Sequence, residues 1–279
     1  MRRRRKMLYL LPTLFTFSSM FCGLLAIRWS LGGHEPLHYY LAAIAILFAA
    51  FFDLVDGRVA RLTRTESDIG VQLDSLADLI SFGLAPAMLV YAWGLKGTLL
   101  GSFDLGLLIC FAFLAAGAFR LARFNVSVMR ESRLKGAPSP VFTGLPIPVA
   151  ACLLAGLVLA HHQTDVLLYK RRLLLLLLVP LLSWLMVSKV PYRTFKRLRF
   201  TRQRVLLSLA ALIPALLIAR GVAPAVTLVL GLATYITAGL AGYLVGFSRE
   251  RHLAATVSED TTLTCAEREA GPTCGSPRS

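Results

Sequence analysis

Charge is scarce in this chain: only 16% of its 279 residues are Asp, Glu, Lys or Arg, against roughly a quarter in an ordinary soluble domain. That deficit excludes a soluble enzyme and a disordered tail protein, both of which need charge to stay hydrated. Cysteine is sparse too. Cys22, Cys110, Cys152, Cys265 and Cys274 are odd in number and no two stand at CxxC spacing, so neither a disulfide framework nor a zinc site is indicated. Cys22, Cys110 and Cys152 fall inside apolar runs, where a thiol serves as a small packing group. Acids are the scarcest charge, fifteen against thirty bases, for a net charge of +15. In a soluble protein that excess would suggest nucleic acid. Here no nucleic-acid partner is expected, because basic residues that flank apolar spans set topology and meet anionic headgroups.

Apolar residues are abundant. They make up 56% of the chain, the mean hydropathy is +0.67, and they recur in runs of about 20, enough to cross a bilayer as helix. Open strands cannot cross lipid, so the fold class expected is an all-α, polytopic membrane helix bundle. Eight spans are expected, at residues 10–27, 38–55, 71–93, 105–119, 141–160, 173–187, 205–219 and 222–247. The basic start, Arg2 to Lys6, resembles a signal-peptide n-region, but no small-residue cleavage site follows, and the first run reads as a retained helix. The segment 251–279 is polar, without helical periodicity, and reads as a disordered cytoplasmic tail.

With the N-terminus in the cytoplasm, twenty-four of the thirty basic residues fall on the inner side and six on the outer. That bias sets both termini inside. Lys170, Arg171 and Arg172 run against it locally.

Six of the fifteen acids lie between Asp53 and Asp78, a window that begins in one apolar run and ends in the next. An unpaired acid at the centre of a span costs about 2.5 to 3.5 kcal/mol on insertion scales, so such carboxylates mark function by default. Asp53, Asp56, Gly57 and Ala60 follow i, i+3, i+4, i+7 and share one helix face. Gly70, Asp74 and Asp78 step by four and form a second stripe. A hairpin between them brings the two stripes together at the cytoplasmic surface. Converging carboxylates raise one another's pKa, a conflict that divalent cations remove, and all-oxygen ligands suit Mg²⁺, Mn²⁺ or Ca²⁺ rather than zinc. The small residues Gly57, Ala60 and Gly70 leave room for a substrate, and Arg61 can neutralise a phosphate.

The full spacing, Asp53-x2-Asp56-Gly57-x2-Ala60-Arg61-x8-Gly70-x3-Asp74-x3-Asp78, resembles the signature of the CDP-alcohol phosphatidyltransferases at every position. The resemblance covers roughly residues 8 to 200. It implies a six-helix core in residues 1–200, a homodimer, and transfer of a phosphatidyl group from a CDP-lipid to an alcohol with release of CMP. It further implies that Asp53, Asp56 and Asp74 hold two divalent ions, Mg²⁺ or Mn²⁺, on the pyrophosphate, and that Asp78 completes the second metal site or acts as base. Gly57, Ala60 and Arg61, with Gly70, would take the CDP moiety. Two further spans, within residues 201–250, lie outside that core.

Three more stretches resemble the serine-accepting branch of the family: residues 15–23, 73–86, and 119–125 together with 142–148. Thr13 and Ser18-Ser19 depart from its pattern at the N-terminal end. The substrates implied are CDP-diacylglycerol and L-serine, with the active site at the cytoplasmic face of the inner membrane. Serine brings a carboxylate, so its pocket needs a cation, and Arg120 and Arg123 stand three apart at the inner end of span four. Asn125 is a weaker candidate, and Pro146 and Pro148 read as kink positions. Glycerol 3-phosphate or an inositol phosphate would use the same arginines, whereas choline favours an aromatic cage. A cation transporter is the remaining alternative. It is disfavoured because the acids occupy two consecutive helices near one face, without inverted repeats.

Overall fold

A computed structural model describes residues 2–33, 35–63, 68–133, 144–164, 171–188 and 225–237. Helix α1 (Arg2–Leu31) packs along α2 (Pro36–Thr63), and α3 (Asp68–Asp78) returns beside α1. The third span then runs on through a π-helical turn (Leu79–Leu84), α4 (Ala85–Val90) and a second π turn (Tyr91–Leu95). A two-stranded hairpin, β1 (Leu99–Leu100) with β2 (Phe103–Asp104), leads into α5 (Leu105–Arg133). Then come α6 (Ile147–Thr164), which lies against α2, α7 (Arg171–Val187), which lies against α5, and α8 (Ala225–Thr237). Among the described residues four helices are long and apolar enough to cross a membrane, Thr13–Leu31, Pro36–Val59, Ile69–Leu95 and Leu105–Ser127, and shorter apolar helices cover Ile147–Gln163 and Ala225–Thr237. The expected span 205–219 and the tail 251–279 lie outside the described residues.

The bundle is built as lipid demands. Large apolar side chains point outward, with Leu14, Phe17, Phe21 and Leu24 forming one exposed stripe of α1. Small residues point inward, Ala42, Ala43, Ala45 and Ala49 of α2 being buried. Without a hydrophobic drive between helices in lipid, close backbone approach supplies dispersion and short polar contacts. Gly23 shows the fit: a Cβ there would stand 2.8 Å from the Ser81 Cα, and the Ser81 hydroxyl donates to the Ser19 carbonyl at 3.0 Å.

The first π turn has a local cause. Pro86 sits at the start of α4, and a proline ring collides with the carbonyl four residues earlier in a regular helix. The widened turn over Leu79–Leu84 relieves that clash while the span continues. Beyond it, the α5 N-terminus is capped by Asp104, whose Oδ1 accepts from the Leu107 N–H at 3.1 Å and whose Oδ2 accepts from the Tyr91 hydroxyl at 2.6 Å. The Tyr91 hydrogen bond first, and the backbone amides next, hold the Asp104 carboxyl below its ordinary pKa.

Two boundaries differ from expectation. Of the span expected at 141–160, residues 141–143 lie outside the described residues, and the helix that follows begins at Ile147. Gly144 has φ +86° and a Cβ there would strike the Met186 carbonyl oxygen, so the chain turns at this point, and the Leu145 N–H donates to the Leu185 carbonyl at 3.1 Å. Pro146 therefore immediately precedes α6 and Pro148 lies in its first turn, where a missing N–H costs nothing, rather than kinking a span. Helix α5, in turn, runs on past residue 119 to Arg133 and carries Arg120, Arg123 and Asn125 on one continuous rod.

Helix α8 lies in residues expected to stand apart from the six-span core. It packs on α6, where a Cβ on Gly156 would come within 2.9 Å of Leu228, and the Ala225 N–H donates to Gln163 at 3.3 Å.

Candidate active site

The last turns of α2 carry Asp53 and Asp56, and α3 carries Asp74 and Asp78. Antiparallel return of α3 sets the two stripes face to face. One carboxylate oxygen from each of Asp53, Asp56 and Asp74 lies within 4.8 Å of the others, and the Asp78 carboxyl stands at hydrogen-bonding distance of Asp53. Asp56 is buried, 5% exposed, and the other three are half-buried.

This donor set fits a hard cation. Oxygens on opposite sides of Mg²⁺ or Ca²⁺ stand about 4 to 5 Å apart, twice the metal–oxygen distance, which is the spread found here. The cluster holds carboxylates and neither histidine nor cysteine, the ligand type that suits Mg²⁺, Mn²⁺ or Ca²⁺.

Helix α1 contributes a residue that local spacing does not reveal. The Thr16 hydroxyl, itself buried, donates to Asp56 Oδ2 at 3.1 Å, and the Gly57 backbone N–H also donates to Asp56. Two donors on one carboxylate fix its orientation before any ligand arrives. Next to Asp74, Ser75 and Asn125 join α3 to α5: Asn125 Nδ2 donates to Ser75 Oγ at 2.9 Å and to Gln72 Oε1 at 3.3 Å. The signal for these residues lay in the stretches 15–23, 73–86 and 119–125, each of which holds one member of the contacts, but sequence reasoning singled out only Asn125.

Gly57 on α2 and Gly70 on α3 flank the carboxylates, half-buried. Ala60 and Arg61 continue the α2 stripe, but their side chains lie outside the described residues, as do residues 64–67 between α2 and α3.

The two arginines of α5 are not equivalent. Arg120 faces the acids, within electrostatic reach of Asp78, Arg123 and Tyr235, and its Nε is buried without an acceptor among the described residues. Arg123 points along α7: NH1 donates to the Val187 carbonyl at 3.2 Å and NH2 to that of Ser188 at 3.5 Å. It stands over the Phe119 ring at 6.0 Å, and so closes the C-terminus of α7, whose last carbonyls have no intrahelical partner.

A signature of alternating aspartates and glycines, gathered into an oxygen-only cluster on the second and third spans of a membrane bundle, is matched by one family of enzymes over most of the chain. The protein belongs to the CDP-alcohol phosphatidyltransferase family, whose match covers residues 9–236 and so runs past residue 200 to take in most of α8. Among similar proteins, the CDP-diacylglycerol–serine O-phosphatidyltransferase of Helicobacter pylori is 36% identical over 202 residues, 72% of this chain and 79% of that one. The enzyme of the same name from Bacillus subtilis is 34% identical over 189 residues, 67% of this chain and 92% of its own. That from Saccharomyces cerevisiae is 40% identical over 142 residues, half of this chain and 49% of its own. The acidic triad has the spacing to bind a divalent cation, the cofactor class the family uses.

Proposed function

We propose that this chain transfers the phosphatidyl group of CDP-diacylglycerol to L-serine, forming phosphatidylserine and CMP. The observation that carries the reading is the convergence of Asp53, Asp56 and Asp74 within 4.8 Å, in a chain whose similar proteins include serine O-phosphatidyltransferases at 34 and 36% identity.

Bound Mg²⁺ or Mn²⁺ would supply charge neutralisation at the pyrophosphate. The chain's own residues do the rest. Asp53, Asp56 and Asp74 would hold the cations, with Asp78 assisting them or working as base. Gly57, Ala60 and Gly70 let the CDP moiety approach the backbone, and Arg61 pairs with its phosphates. Asp78 takes the proton of the serine hydroxyl, the serine oxygen forms a bond to the lipid-side phosphorus, and the bond from that phosphorus to the CMP oxygen breaks in line. Arg120, beside Asp78, receives the serine carboxylate. The same proposal sets the aspartates and both termini on the cytoplasmic side of the inner membrane, with a lipid donor entering from the bilayer and serine from water. It includes a homodimer, which cross-linking in native membranes reads directly.

The experiment is to incubate purified protein with CDP-diacylglycerol, a divalent metal and each acceptor in turn, and to measure CMP release. L-Serine is expected to drive it. A protein that ignores serine but consumes glycerol 3-phosphate would keep the reaction and reassign Arg120 to a phosphate. Ion flux without CMP release would replace the enzyme with a transporter.

A further inference from the structure

Three of the six basic residues expected on the outer side, Lys96, Arg171 and Arg172, meet at one place. A cavity of about 430 Å³ opens at the end of the bundle remote from the aspartates, and its wall includes Lys96, His161, His162, Arg171 and Arg172. Among the described residues of the wall none is acidic. The sequence of the adjoining segment 165–170 adds one acid and one base, Asp165 and Lys170, so the excess of positive charge stands.

The cavity is built from four parts of the fold. Tyr39 comes from the start of α2, and its hydroxyl donates to the Ala92 carbonyl at 3.2 Å. Trp93, from the second π turn, is buried and packs on His161 of α6 with ring centroids 5.3 Å apart, while Tyr40 packs on His162 at 4.8 Å. Arg171 opens α7 and lies within electrostatic reach of Tyr39. Gly94 lets α7 close against the π turn, since a Cβ there would stand 2.6 Å from Leu175 Cδ1. The aromatic rings thus shape the wall and hold the two imidazoles.

Location fixes the ligand's chemistry. Tyr39 and Asp53 are fourteen residues apart on α2, about 20 Å along the axis, and the span is about 30 Å of hydrocarbon. The cavity therefore lies at the opposite membrane interface, where tyrosine and tryptophan rings belong. Arg171 and Arg172 occupy the first turn of α7, where the helix dipole is itself positive and disfavours cations. Two guanidinium groups set against that dipole, with Lys96 and the two imidazoles from the last turn of α6 in the same wall at headgroup depth, make a site for an anion, and guanidinium forks match phosphate oxygens.

We infer that this cavity is a second, non-catalytic site that binds the phosphate group of an anionic phospholipid in the leaflet opposite the aspartates. A free phosphate in the adjoining water offers the same group, and the test separates the two sources.

The full chain, purified in neutral detergent, is titrated with phosphatidylglycerol or phosphatidylcholine, and bound lipid is counted by native mass spectrometry. Wild type should retain phosphatidylglycerol in preference to phosphatidylcholine. Arg171→Gln with Arg172→Gln should weaken that retention by on the order of tenfold or more, and Arg171→Lys with Arg172→Lys should restore part of it, with CMP release from CDP-diacylglycerol continuing in both. Should the glutamine pair not fold, Lys96→Gln with His162→Gln, both at exposed side chains, makes the same comparison. Displacement of the lipid by millimolar inorganic phosphate in wild type would assign the site to the phosphate group itself, and resistance to displacement would assign it to the lipid. Equal retention of phosphatidylglycerol by wild type and the folded glutamine variants, or no preference over phosphatidylcholine, would overturn the inference.

Discussion

Thr16 is the residue at which one hydroxyl separates a prepared carboxylate from a loose one. Its bond to Asp56 at 3.1 Å costs the protein a buried polar group, and the gain is a carboxylate held in one orientation for the metal site proposed above. Thr16→Val keeps the shape and removes the donor. Loss of such a supporting partner costs about 10- to 100-fold in metal affinity, so the Mg²⁺ or Mn²⁺ concentration for half-maximal CMP release should rise by that factor while the rate at saturating metal recovers. An unchanged metal requirement would separate Thr16 from the site. Asp78→Asn should retain CDP-lipid binding and lose about 10²- to 10⁴-fold in turnover, the range for a general base; loss of binding first would make Asp78 chiefly a ligand. The α5 arginines should part company. Arg120→Lys keeps the charge but not the fork, and the KM for serine should rise about tenfold, the worth of one charge-assisted bond, with that for CDP-diacylglycerol little changed. Arg123→Lys should instead lower the melting temperature, because its bonds go to the Val187 and Ser188 carbonyls.

At the scale of elements, the junction of α5, α6 and α7 depends on a glycine that no side chain can replace. Gly144 has φ +86° and lies against the Met186 carbonyl. Gly144→Ala should destabilise the bundle by roughly 1 to 3 kcal/mol, the range for a non-glycine residue held in that region, with the loss read as a lower melting temperature in detergent. The Asp104 cap gives α5 a pH-dependent end. Its folded pKa is depressed, so its contribution is present above the unfolded value of about 3.9 and disappears as pH falls through the lower folded value. The difference in melting temperature between wild type and Asp104→Ala should therefore begin to shrink as pH falls below about 4 and keep shrinking as pH falls through the lower folded value; a difference that does not change with pH over that range would detach the Tyr91 bond from stability.

The whole molecule is an oxygen-ligand cluster near one end of a bundle and a basic cavity near the other. Exhaustive EDTA treatment should abolish CMP release, and added Mg²⁺ or Mn²⁺ should restore it; activity that survives chelation would remove the cations from the reaction. Orientation is read by labelling single cysteines in a cysteine-free chain. Positions near Arg64 and Arg130 should react from the cytoplasmic side, and one near Gln163 only from the other. Reversed labelling would turn the active site outward and place the basic cavity in the inner leaflet.

Residues on the same helix face are legible from sequence because the 3.6-residue period is a property of the backbone. Asp53 with Asp56, and Gly70 with Asp74 and Asp78, could be aligned on their stripes from sequence alone, and the few residues between α2 and α3 leave little choice but to bring the stripes together. The apolar runs likewise announced a membrane bundle, since lipid admits helices and excludes exposed backbone. Contacts between helices distant in sequence carry no such period. That Thr16 of α1 reaches Asp56 forty residues away, that Asn125 meets Ser75, and that Arg120 turns to the acids while Arg123 turns to α7 follow from rotations of whole helices about their axes. Those rotations are set by small-residue contacts such as Gly23 on Ser81 and by the π turns before and after α4. The basic cavity belongs to the same class: Lys96, His161 and Arg171 come from three segments, and only packing, which sums many weak contacts over the full bundle, decides that they share one wall.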